Sequence, residues 1–134
     1  MSIQEQINRF LSAGAFGVVG ASSNRQKFGN RVLRCYLQHG RQATPVNPSE
    51  AAIEGIACVK SVQDLPPEVK SISMITPPAV TEQIVPLAIA HGIENIWMQP
   101  GAESPAAVAL CRAKAINVIA DGSCLLVVLG YHDH

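Results

Sequence analysis

Short apolar runs alternate along this chain with longer segments whose apolar residues recur every three or four positions. The runs are Phe16–Val19, Ala43–Val46, Ser71–Ile75, Ile93–Met98 and Val118–Ala120. Continuous apolar character over so few residues predicts strands covered on both faces, as in a parallel sheet. Ile3, Ile7, Phe10 and Leu11 predict a short helix over Ser2–Leu11, with Gly14 ending it. Val32, Leu33, Tyr36 and Leu37 fall on one stripe of Asn30–Gln38, and Gly40 is placed to cap that helix. Val80–Ala90 is a third helical segment, with Ile84, Leu87 and Ala88 expected inward and His91-Gly92 closing it. Pro86 lies inside it, so a bend there, or a helix beginning close to Pro86, is expected. Ser104 and Pro105 are an N-cap and first-turn proline for a fourth helix over Ala106–Ala115. Glu50–Gly55 reads as a turn, Ile56–Val59 as a short irregular strand, and Ser61–Leu65 as one helical turn. The apolar run Cys124–Gly130 is expected to pack back on the domain.

Strand and helix alternate, which implies an α/β fold: a single Rossmann-like doubly wound domain spanning 1–134. It should have about five mainly parallel strands with helices on both faces, joined by right-handed crossovers. Ligands in such sheets bind beyond the carboxyl ends of the strands, where the winding reverses. The segments just after the strands are Gly20–Gly29, Asn47-Pro48, Thr76-Pro77-Pro78, Gln99-Pro100-Gly101 and Asp121–Cys124. They are also the most chemically distinctive tracts, which points to one shared crevice.

Composition narrows the classes of ligand. One Trp, two Tyr and three Phe in 134 residues leave little for stacking single-stranded nucleic acid, and a formal net charge of +0 argues against a nucleic-acid binder. The charges are unevenly spread, however. No acid occurs from Gln6 to Ser49, while Arg9, Arg25, Lys27, Arg31, Arg34 and Arg41 all fall there. A positive field around the first loop suits a small polyanion. Cys35, Cys58, Cys111 and Cys124 form no C-x-x-C pair or metal-type spacing, and Met1–Leu11 lacks the features of a secretory signal. Reduced thiols and a cytoplasmic location are therefore expected, with no membrane span. His132-Asp133-His134 is read as a polar terminus, not a metal site.

The segment from Phe16 to Asn30 carries the chemistry. A strand ends in Gly20-Ala21-Ser22, and a helix follows Gly29; loop amides and a helix N-terminus together favour an anion. Walker A would need Gly-Lys-Ser/Thr at the end of the loop, and the fingerprint G-x-G-x-x-G would need glycine where Ser22 stands. A dinucleotide site would also place Asp or Glu at the end of the second strand to accept the ribose 2′-hydroxyl; Asn47 stands there, flanked by Pro45 and Pro48. The prolines suit a rigid apolar wall for the face of an adenine.

In order along the chain, Gly20-Ala21-Ser22 with Lys27 and Gly29, Pro45-Val46-Asn47-Pro48, Thr76-Pro77-Pro78 and Trp97-Met98-Gln99-Pro100-Gly101 resemble the small CoA-binding domain family. That family is similar to the first domain of the succinyl-CoA synthetase alpha subunit. The resemblance covers roughly Phe16 to Cys124 and implies coenzyme A or an acyl-CoA as ligand. It implies that Gly20, Ala21 and Ser22 hold the pyrophosphate and that Lys27 neutralises phosphate charge. Val46, Asn47 and Pro48 would line adenine and ribose, with Thr76 and Pro77 on the other wall and Gln99 and Gly101 along the pantetheine arm. Cys124 falls near a cysteine common in the family, but it is set in Asp-Gly-Ser-Cys where many members have Asp-Arg-Cys; a buried structural thiol is expected.

No catalytic constellation and no metal-ligand cluster is visible in the sequence. The synthetases that this chain resembles use a phosphorylated histidine from a second domain, for which these 134 residues have no room. The expectation is a non-catalytic CoA-binding module with a regulatory or carrier output, with a protein partner or homo-oligomer possible. The alternatives are an NAD(P)-linked oxidoreductase or redox-sensing domain, and a Rossmann-like interaction module without ligand.

Overall fold

A computed structural model describes residues 1–133, so His134 of the terminal His-Asp-His tract lies outside the described residues. Strand β1 (Ala15–Val19) is the first element of a parallel sheet that also holds β2 (Gln42–Val46), β5 (Ser71–Met74), β6 (Asn95–Met98) and β7 (Asn117–Ile119). The strand order is β2-β1-β5-β6-β7. The winding therefore reverses between β1 and β5, which makes their carboxyl ends the place where a crevice opens. Pro45 is tolerated because β2 is an edge strand, where a missing donor costs little.

Helix α1 (Ile3–Leu11) and helix α2 (Phe28–Gln38) cover one face. Under them Phe16 stacks on Tyr36 with ring centroids 4.7 Å apart, and Phe10 meets Trp97 edge-on at 5.3 Å. Tyr36 reaches through to Ser73, its hydroxyl 2.6 Å from Oγ. Helix α3 (Pro78–His91) and helix α4 (Pro105–Ala113) cover the other face through Val85, Ala88, Ala107 and Cys111. The sheet is thus buried on both sides, as the unbroken apolar runs require.

Three local expectations need correction. Of the two readings at Pro86, a helix beginning close to it is excluded: helix α3 starts at Pro78, eight residues before Pro86, and runs through it to His91. Pro86 lies exposed while Thr81, Val85 and Ala88 hold the helix to the sheet. Burial of that inner stripe outweighs the hydrogen bond the proline removes. Leu87 does not point inward: it is 41% exposed. Glu50–Gly55 is more than a turn. Its Ala52–Ile53 (β3) pairs antiparallel with Ile56–Ala57 (β4) just beyond it, and Glu54 and Gly55 between them both take positive φ, at 50° and 78°. Two such residues match the right-handed twist of a tight hairpin. Past β7, Leu125 is fully buried, but Leu126–Gly130 winds into a single wide turn against α2 with Val127 80% exposed.

Candidate functional site

Beyond β1 the chain makes its closest approaches. Gly20 adopts φ +94°, and a Cβ there would stand 2.0 Å from the carbonyl oxygen of Ile75. A Cβ on Gly29 would stand 2.0 Å from the carbonyl oxygen of Gly20. The two glycines therefore let the loop pass between the end of β5 and the first turn of α2. Both positions that the sequence marked as ligand-binding have this packing role.

Side chains from neighbouring elements hold the loop between them. Asn47 Nδ2 donates to the Ala21 carbonyl at 2.9 Å, and Asn30 Nδ2 donates to the Ser22 carbonyl at 2.8 Å. Asn30 is fully buried, and Arg34 Nε donates to its Oδ1 at 2.7 Å. The Ser22 hydroxyl accepts from the Asn24 amide at 3.1 Å, and the Ser23 amide donates to Glu50 at 2.9 Å. The amides of Ala21, Ser22, Phe28 and Gly29 take no partner among the described residues. They form a donor group beside the positive end of α2.

The cations are less free than their clustering along the chain implies. Arg34 is buried and spent on Asn30 and on the Arg25 carbonyl. Arg41 donates to the Leu11 carbonyl at 2.6 Å and lies over the Phe16 ring. Arg25 lies 3.7 Å from Glu54, an acid that the β3–β4 hairpin delivers to the loop together with Glu50. Lys27, the N-cap residue of α2, is exposed.

Two hollows flank Thr76. The first, about 270 Å3, is mostly apolar and is lined by Gly20, Ala21, Val46, Asn47, Pro48 and Thr76 from the sequence-derived set. Val19, Lys60, Ser61, Val62, Val80, Ile84 and Leu87 complete it. The second, about 210 Å3, takes Thr76, Pro77 and Gly101 from that set, with Phe28, Ile75, Pro100 and Ala102. Thr76 is fixed by a 2.6 Å hydroxyl contact with Thr81. A ligand with an apolar head, a polyanionic middle and a long arm could lie from one hollow to the other past the loop amides.

Gln99 lines neither hollow. It is fully buried, and its Oε1 accepts from the Leu125 amide at 2.9 Å, tying the strand end to the C-terminal segment. Asn47 borders the first hollow, but its side chain is engaged: Oδ1 accepts from the amides of Ser49 and Glu50. Val80, Ile84 and Leu87 were legible only as helical apolar periodicity, which reads equally as core. Lys60 carried no motif signal at all.

The thiols are quiet. Burial pushes Cys35 and Cys111 up to about 11, with Cys124 adding to the effect on Cys35. Cys124 itself is only partly buried, not the enclosed thiol expected. No group of three or more His, Cys, Asp or Glu side chains among the described residues is placed to hold a metal. No helix among them is long and apolar enough to cross a membrane. A larger hollow of about 420 Å3 lies beside β7 between α1 and α4. It is far from the point of reversal, and it sets Glu103 and Asp121 against a single cation, Arg112.

The sheet order and the helices on both faces define a Rossmann-like α/β domain. Residues 15–129 match the model of the CoA binding domain, and the chain belongs to that family. It is 25% identical over 91 residues to the alpha subunit of an ADP-forming acetate–CoA ligase II of Pyrococcus furiosus, over 67% of this chain and 20% of that subunit. The chain thus spans about a fifth of that curated relative. Among solved structures, a conserved hypothetical protein from the same organism superposes with TM-score 0.81 at 36% identity, over 85% of this chain and 97% of that one. The dinucleotide forming acetyl-coenzyme A synthetase 1 of Ca. Korarchaeum cryptofilum, solved with phosphate and ADP, shares the fold with TM-score 0.73 at 23% identity, over 81% of this chain and 26% of that one.

Proposed function

We propose that this protein binds coenzyme A or an acyl-CoA as a non-catalytic module, regulating or carrying the thioester and not transforming it. The observation that supports this best is the apolar crevice at the β1/β5 reversal, which Ala21 lines, at the start of a loop whose Ala21, Ser22, Phe28 and Gly29 amides have no partner among the described residues, in a chain of the CoA-binding domain family. Adenine lies against Val46, Pro48 and Val62, the pyrophosphate meets the Ala21 and Ser22 amides, and the pantetheine arm passes Thr76 and Pro77 toward Gly101. Lys27 lends charge from the rim. Four unpaired thiols suit a reducing compartment such as the cytoplasm. NAD is disfavoured by Asn47, whose amide offers no carboxylate to a ribose diol.

A thermal-shift titration tests this. CoA at a hundredfold excess over its Kd should stabilise the protein by about 2.7 kcal/mol, with NAD giving little shift. Strong stabilisation by NAD and none by CoA would reverse the proposal, and no shift with either would leave an interaction module.

A further inference from the structure

Lys60 is held at the crevice mouth from both sides along the chain. Val59 pairs in parallel with Val46: its amide donates to the Pro45 carbonyl at 3.0 Å, and its carbonyl accepts from the Asn47 amide at 2.9 Å. Ser61 fixes the next turn, its hydroxyl accepting from the Gln63 amide at 3.2 Å. The backbone of residue 60 is thereby set beside Asn47, while its exposed side chain lines the hollow. It is the one charged side chain in that lining, and it has no ion pair among the described residues. The acceptor that a free ribose diol would need is missing, because Asn47 is committed to Ala21, Ser49 and Glu50. The lining of the hollow thus offers a cation and no carboxylate, Glu50 lying outside it with its Oε2 on the Ser23 amide.

Resting on the CoA-binding reading, we infer that Lys60 binds the phosphate on the 3′-hydroxyl of the adenosine ribose and so selects coenzyme A over nucleotides with an unphosphorylated ribose. A flexible ammonium acts as a point charge, which tolerates the freedom of a phosphate at a solvent-facing rim. Thr76 and the apolar wall would hold the rest of the nucleoside equally well in both.

Calorimetric titration of the parent, Lys60→Met and Lys60→Arg with CoA and with dephospho-CoA decides the matter. The methionine keeps an apolar stem against the crevice, and an exposed position should tolerate it. The parent should prefer CoA by about tenfold or more, the size of one charge-assisted contact. Lys60→Met should lose most of that preference while holding dephospho-CoA within about twofold of the parent, and Lys60→Arg should keep the preference. An unchanged preference in Lys60→Met overturns the assignment and leaves CoA binding intact. A parent that binds NADP, with its phosphate on the 2′-hydroxyl, more tightly than CoA also overturns it. A parent that binds neither CoA nor dephospho-CoA overturns the binding reading itself.

Discussion

Replacing Glu50 by glutamine should strengthen CoA binding. Glu50 Oε2 accepts from the Ser23 amide at 2.9 Å and lies 3.4 Å from Asn47 Nδ2, so a carboxylate already occupies the edge of the donor group on the loop. An arriving pyrophosphate meets that negative charge at close range. Glutamine keeps an oxygen acceptor for the Ser23 amide, so the tie between hairpin and loop survives and only the charge is lost. Two unit charges about 4 Å apart repel by about 1 kcal/mol in water and about 4 kcal/mol at an effective dielectric near 20. Glu50 is partly buried beside an exposed loop, and salt screens the rest, so the gain belongs at the low end of that range. About 1–2 kcal/mol corresponds to roughly five- to thirtyfold tighter binding. Calorimetric titration of both proteins at two ionic strengths measures it, and the gain should shrink as salt rises. Equal or weaker binding by Glu50→Gln at low salt, with its melting temperature unchanged, would mean that the phosphates do not approach the Ala21–Ser23 amides.

Gly29→Ala should destabilise the fold by about 3 kcal/mol, since the new Cβ meets the Gly20 carbonyl oxygen at 2.0 Å and overpacking outweighs alanine's helix advantage of about 1 kcal/mol; urea denaturation at neutral pH reads the difference, and a midpoint near the parent's would refute the close approach. Stability should also fall on the alkaline side. Cys35 and Cys111 are pushed up from 9.0 to about 11 by burial, so the unfolded chain releases these protons first; their contribution is complete below pH 9 and is lost as pH rises toward 11. Denaturation midpoints at pH 7 and pH 10 that coincide would count against buried, protonated thiols.

Most of the fold was legible because its signals are local and repeated. Apolar runs marked all five strands of the main sheet to within one or two residues, and Ser104-Pro105 marked the start of α4. The errors arose where a residue's partner is distant in sequence. Leu87 keeps helical spacing with Ile84, yet it faces the crevice because Thr81, Val85 and Ala88 form the inner stripe. Glu50 and Glu54 lie in what reads as a turn; the bond of the Glu50 amide to Asn47 Oδ1 and, for Glu54, the β3–β4 pairing carry them to the loop. The acid-free stretch from Gln6 to Ser49 therefore overstated the field, since acids from just beyond it fold back, and Arg34 and Arg41 serve backbone carbonyls. Gln99 is polar and follows a strand, as a ligand-facing residue would, yet its acceptor is used by Leu125 from the far end of the chain.

That use of polar side chains explains how a loop without the usual glycine fingerprint can still present donors. In a trans peptide the carbonyl and the following amide point in opposite directions. Asn47 fixes the Ala21 carbonyl and so turns the Ser22 amide away from β2; Asn30 fixes the Ser22 carbonyl and so turns the Ser23 amide away from α2, toward Glu50. Arg34, buried beneath Asn30, holds that carboxamide with its Oδ1 toward the guanidinium and its Nδ2 toward the loop. A residue read from the sequence as lining the ribose, and two more not assigned to the site, thus act by setting the direction of backbone donors. Because Gly20 and Gly29 lock the same loop against β5 and α2, those donors are oriented before any anion arrives, and little ordering remains to oppose binding. On the CoA-binding proposal, the affinity for phosphate would then reside more in the framework of Asn30, Arg34 and Asn47 than in the exposed charge of Lys27.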